Sequence, residues 1–87
     1  MYPIPPGETI RETFGYYAMD EKEVAREIGF DEYRFEEILD GLAPIDYDLA
    51  MKLGRVTGLN PQFIMNLEYN YRDEMRKLTE RLERGES

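Results

Sequence analysis

The chain contains neither cysteine nor histidine. Without cysteine, a disulfide framework and a thiolate zinc site are excluded. Without histidine, the commonest general base and the commonest metal ligand are both gone. No glycine-rich phosphate loop is present, and no nucleophile has a plausible base beside it. A working pair of acids would need a pocket that so short a chain is poorly equipped to build. An enzyme is therefore not expected, nor is a metal or cofactor. The opening stretch MYPIPPGETIRETF has no basic segment followed by an apolar run, so it does not read as a secretory signal. No apolar stretch approaches the roughly 20 residues that span a bilayer. A soluble cytoplasmic protein is the expectation left. Positive charge is also scarce, with 11 basic against 19 acidic side chains. Phosphate repels such a chain unless its few cations are gathered on one surface.

At 87 residues the sequence reads as one domain with a thin core, which association with another chain would help. Its periodicities predict five helices and no strand. Three prolines in Met1–Pro6 suggest an extended arm; Pro6 and Gly7 then open the first helix, over about Glu8 to Tyr17, with Ile10 and Phe14 facing inward. Asp20 with Glu23 three residues on forms an acidic capping box for the second helix, whose stripe is Val24, Ala25 and Ile28. Gly29 suits the turn that follows. Asp31 caps a third helix carrying Phe35, Ile38 and Leu39, which Gly41 ends. Asp46 caps a fourth, with Leu49, Ala50, Leu53 and Val56 inward, closed by Gly58. Asn60 and Pro61 open a long fifth helix, reaching to about Glu83 and carrying Phe63 and Ile64 in its first turns. Its apolar positions Leu67, Tyr71, Met75, Leu78 and Leu82 are spaced close to a heptad repeat. Arg84–Ser87 are expected to fray.

The informative stretch is Glu21–Ile38. A helix-turn-helix crosses two short helices over a brief turn. The crossing needs a small residue, supplied by Ala25, and the turn needs one tolerant of positive φ, supplied by Gly29 four positions later. Phe35 and Ile38 then anchor the third helix. Any helical hairpin with a glycine turn is the plainer alternative, and the joint spacing of caps, alanine, glycine and anchors favours the helix-turn-helix.

Three stretches carry a family resemblance. PPGETIRE (Pro5–Glu12) resembles the opening of HigA-type antitoxins, within the larger lambda-repressor-like (XRE) group. EKEVAREIGF (Glu21–Phe30) resembles that family's second helix and turn, and ILDGLAPIDYDLAMKLGRVTGLNPQFIMNLEYNY (Ile38–Tyr71) its loop, fourth helix and fifth-helix start. NLEYNYRD is also similar to a helix-turn-helix domain that precedes some metallopeptidase domains. The resemblance covers roughly Pro6 to Arg72. It implies an all-α, five-helix lambda-repressor-like domain with a long C-terminal helix: an arm over residues 1–6, the helix-turn-helix domain over 7–66, and a dimerising extension over 67–87. It further implies a homodimer that binds duplex operator DNA, regulates transcription and neutralises a partner toxin.

The positions that would read DNA are Glu21 and Lys22 at the start of the second helix and Glu32, Tyr33, Arg34 and Glu37 on the third, with Glu36 beside them. Members of the resembled family commonly carry Gln, Ser, Thr, Arg or Lys there. Between Asp20 and Gly41 nine acids stand against three bases. A carboxylate can accept from the amino group of cytosine, but several of them oppose the phosphate contacts that supply most non-specific affinity. Tyr33 and Arg34 are the leading contact candidates. Lys52 and Arg55 could touch phosphate, although plain solvation accounts for them, and packing accounts for Tyr16, Tyr17, Tyr69 and Tyr71 better than base stacking does. Two readings follow: a dimeric DNA-binding antitoxin, or a protein-binding, DNA-mimicking module that kept the fold and lost DNA affinity. Leu67, Tyr71, Met75, Leu78 and Leu82 are the expected dimer contacts.

Overall fold

The computed structural model describes residues 2–85. Met1 of the expected arm and Glu86 and Ser87 of the expected frayed tail lie outside the described residues. Five helices follow one another: α1 (Pro6–Tyr16), α2 (Glu21–Glu27), α3 (Glu32–Leu39), α4 (Tyr47–Thr57) and α5 (Pro61–Glu83). No strand occurs among the described residues.

Four of the helices start as their capping residues dictate. The Asp20 carboxylate accepts from the Lys22 N–H at 2.9 Å, Asp31 from Tyr33 at 2.8 Å and Asp46 from Leu49 at 2.8 Å. The Asn60 side-chain oxygen accepts from Gln62 at 2.7 Å. Each satisfies a backbone donor that has no partner inside its helix. α1 opens at Pro6, the boundary that Pro6 and Gly7 mark in the sequence, with Glu8 in its first turn. Pro6 occupies the first helical position without a side-chain cap, because the fixed φ of proline already suits that place. The end of α1 departs from expectation. Ala18 takes a left-handed φ of +54°, and the Met19 N–H returns to the Phe14 carbonyl at 2.7 Å.

The core forms where α1, α3, α4 and α5 meet, with Ile10, Phe35, Leu39, Leu53 and Ile64 fully enclosed. Phe35 lies between Phe14 and Phe30, with ring centroids 6.3 and 6.4 Å away. Ala25, with no exposed surface, lets α2 close on α3, and Gly29 at φ +77° makes the turn between them. The Phe30 N–H then donates to the Ala25 carbonyl at 2.8 Å, which fixes the entry into α3.

Two expected core positions are displaced. Pro61 seats against Gly54, whose missing side chain leaves the room. That sets the phase of α5 so that Ile64, Met65, Glu68 and Tyr71 turn inward and Phe63 turns to solvent, 43% exposed. On α4, Val56 is half-buried and its neighbour Thr57 is buried instead, its hydroxyl donating to the Leu53 carbonyl at 2.7 Å.

Candidate functional site

Burial of Phe35, Ile38 and Leu39 fixes the rotation of α3. Tyr33, Glu36 and Glu37 therefore point away from the core, with Glu32 and Arg34 on the flanks, and all five are exposed. Tyr33 is 75% exposed, far more than a tyrosine needed for packing. The first turns of α2 and α3 face each other across a concavity of about 240 Å³, lined by Glu21, Lys22, Ala25, Glu32, Tyr33, Phe35 and Glu36. Of the residues expected to read DNA, Glu21, Lys22, Glu32 and Tyr33 are brought together there. Arg34 and Glu37 stand outside its lining, and Glu36 stands inside it. Lys52 and Arg55 come together with Glu27, Ile28 and Val56 around a separate concavity of about 430 Å³. There Lys52 is already paired with Asp48 at 3.2 Å.

A cation from outside the helix-turn-helix changes its electrostatics. Arg11, on α1, donates through Nε to Glu21 at 2.8 Å and through Nη1 to Asp40 at 2.7 Å. The hydrogen bond to Glu21, and secondarily the one to Asp40, raises the guanidinium's affinity for its proton, against the opposing effect of partial burial. Asp20 and Asp31 spend their carboxylates on helix caps. Four of the nine acids of Asp20–Gly41 are thus occupied locally. Glu23, Glu27, Glu32, Glu36 and Glu37 remain without an ion pair among the described residues, as do Lys22, Arg26 and Arg34.

The loop after α3 is held by groups whose role the sequence did not disclose. Glu68 on α5 is buried, and its Oε2 accepts from Arg72 Nε at 2.6 Å. Arg72 donates its Nη2 to the Ala43 carbonyl at 3.0 Å and lies over the Tyr71 ring, 5.0 Å from its centroid. Glu68 Oε1 is buried with no hydrogen-bond partner among the described residues. The four-residue spacing of Glu68 and Arg72 was readable as a helix-surface pair. Its burial and its reach to Ala43 were not, because those depend on where the loop folds.

The C-terminal stripe divides. Tyr71 is buried within its own chain, its ring packed over Gly41, so it is not available to a partner. Leu67, Met75 and Leu78 are half-buried, and Leu82 is 62% exposed. Pro3 of the arm lies beside Glu74, Lys77, Glu80, Arg81 and Arg84 of the same region, so the arm runs along the distal end of α5. Asp73 there sits between Arg76 at 2.7 Å and Lys77 at 3.1 Å, and the two cations hold its carboxyl below the ordinary aspartate range. No helix among the described residues is long and apolar enough to cross a membrane.

No protein-family model matches the chain, and no curated protein matches its sequence. Solved structures do. An addiction-module antidote protein of the HigA family from Coxiella burnetii is 30% identical, with a TM-score of 0.78, covering 100% of this chain and 98% of its own. A Pseudomonas aeruginosa protein solved with its 28-bp operator DNA is 27% identical, with a TM-score of 0.78 over 88% of this chain and 86% of its own. The Pseudomonas aeruginosa antitoxin HigA, solved with the higBA promoter, is 28% identical, with a TM-score of 0.72 over 95% of this chain and 87% of its own. Two of these neighbours are thus named as antidote or antitoxin proteins, and two were solved on DNA.

Proposed function

The chain belongs to the HigA family of addiction-module antidote proteins, and from that premise we propose that it is a cytoplasmic, dimeric regulator that binds operator DNA through α2 and α3 and neutralises a partner toxin. The observation that carries this reading is the convergence at one concavity of Lys22, Glu32 and Tyr33, residues expected to read DNA, beside a Glu21 that Arg11 holds. It is joined by the likeness to two proteins solved on operator and promoter DNA. That likeness is also what supports DNA over a basic protein as the ligand of the acidic face. Lys22, Arg26 and Arg34, which have no ion pair among the described residues, are cations of this segment that could meet phosphate.

The dimer is assigned to the extension over residues 67–87. Leu82 is exposed, and Leu67, Met75 and Leu78 are only partly covered. A run of incompletely buried apolar side chains on one stripe is the usual mark of an interface. Tyr71 is left out of it, since Gly41 already takes its ring. Residues 7–66 are the DNA-binding unit in this reading, and the described residues before α1 are an arm beside the interface.

Fluorescence-anisotropy titration tests the DNA assignment. The whole protein is titrated into duplexes tiling the region upstream of its own reading frame and into random duplexes of equal length. One upstream duplex should bind well above the random set, and uniform weak binding would refute the assignment. Sedimentation equilibrium at tens of micromolar (about the range in which a weak dimer appears) should show a dimer. A monomer at every concentration would remove that part of the proposal.

A further inference from the structure

The face of α3 that would enter the major groove carries Tyr33, Glu36 and Glu37, with Glu32 and Arg34 on its two flanks, and all five are exposed. We propose that the operator presents cytosine amino groups to this face, and that these three carboxylates accept hydrogen bonds from them. The proposal rests on the operator-binding reading above and names what that surface selects.

The selection follows from what each base edge offers. An ionised carboxylate is acceptor-only. Guanine shows N7 and O6 in the major groove and thymine shows O4 beside a methyl group, so both present acceptors or carbon to a glutamate. Adenine offers its N6 amino group next to the N7 acceptor, so a carboxylate gains one hydrogen bond there and faces one repulsion. Cytosine offers N4–H₂ with no neighbouring acceptor of its own. A carboxylate moved out of water against an acceptor is left unpaired, and that is costly. Every base other than cytosine is therefore penalised beneath Glu32, Glu36 or Glu37.

The rest of the surface complements this choice. The guanine paired with each cytosine presents two acceptors. Arg34 and the Tyr33 hydroxyl are the donors α3 carries for them. Neither the Glu32 nor the Glu36 carboxylate is engaged by an ion pair among the described residues, although both line the concavity with Lys22. Glu21, by contrast, is held by Arg11 and is excluded from base reading.

The test is enrichment from a randomised duplex library at low salt, with the intact wild-type protein and the E32Q/E36Q/E37Q variant. Glutamine keeps the size of each side chain, and all three positions are exposed, so the fold should persist. Wild type should enrich cytosine on one strand within each half-site. Exchanging a selected C·G pair for T·A should then weaken wild-type binding on the order of tenfold or more. The variant should move the same positions toward adenine, because a carboxamide pairs with both N6 and N7. A wild-type half-site of A·T pairs would overturn the inference, as would a variant that keeps the wild-type consensus at undiminished affinity. Retention of no duplex by wild type is a different result, since it would remove operator binding itself and this inference with it.

Discussion

Arg11 and Glu21 are ten residues apart in sequence and joined by a 2.8 Å hydrogen bond that ties α1 to the first turn of α2. The same guanidinium reaches Asp40, just beyond the end of α3, at 2.7 Å. One side chain thereby fixes both ends of the helix-turn-helix against α1. The side chains are about one-third to one-half exposed, so each bond should contribute at the modest level of partly solvated pairs. Arg11→Gln should cost roughly 1 kcal/mol in urea unfolding. It should also weaken binding of the upstream duplex, because Glu21 and Asp40 are left uncompensated beside the DNA. Arg11→Lys should restore part of both. Unchanged stability and unchanged DNA affinity in Arg11→Gln would mean that the clamp contributes nothing in solution.

Features legible in the sequence share one property: they are local. Asp20, Asp31, Asp46 and Asn60 could be placed because a cap acts within three residues of itself. Ala25, Gly29, Phe35 and Ile38 could be placed because the helix-turn-helix fixes their offsets. Arg11 could not, since nothing in its neighbourhood points to Asp40, 29 residues away. Tyr71 fits the heptad stripe as well as Leu67 does, and only the fold of the loop after α3 shows that Gly41 takes its ring. Phe63 fits the helical period too, but seating of Pro61 on Gly54 turns it outward. The same holds for the site. The exposed residues of α3 were readable from its buried stripe, whereas the neutralisation of Glu21 from α1 was not.

Gly29 and Gly41 both have positive φ, at +77° and +82°, yet their surroundings differ. A Cβ on Gly29 would meet open space, whereas one on Gly41 would meet the Tyr71 ring and hydroxyl at 2.7–2.9 Å. Gly29→Ala should therefore cost only the backbone strain, roughly 1–2 kcal/mol. Gly41→Ala should add an overpacking cost of about 1–3 kcal/mol as Tyr71 is pushed aside. Gly29→Val should melt below wild type, since a β-branched residue is held at positive φ. Chemical denaturation of the two alanine variants orders them, and equal losses would show that Tyr71 yields freely.

Ala18 is a non-glycine residue at left-handed φ, closing α1 where glycine commonly stands. Ala18→Gly removes a conformational penalty of about 1 kcal/mol, partly offset by the greater freedom of glycine in the unfolded chain. The variant should melt a few degrees higher, on a scale of about 4–8 °C per kcal/mol for a domain of this size. A lower melting temperature would show that the alanine methyl group makes a contact worth more than the strain.

On the proposed reading, the acids of α3 set how this protein meets duplex DNA of arbitrary sequence. Lys22, Arg26 and Arg34 are the basic residues of the reading segment, too few to neutralise many phosphates. Its binding to random duplex should accordingly be weak, with a shallower salt slope than a basic protein of the same fold would show. Glu36→Lys with Glu37→Lys removes two repulsions and adds two cations on the outward face of α3. Non-specific affinity should rise at low salt, and the slope of log K against log salt should steepen by up to about 2. Affinity for the upstream duplex should fall relative to random DNA, because the proposal places selection and repulsion in the same carboxylates. If wild type already holds random duplex tightly and the double variant gains nothing, Glu36 and Glu37 do not face the phosphates. The reading surface would then have to be placed elsewhere, and Lys52 and Arg55 on α4 would be the next cations to test.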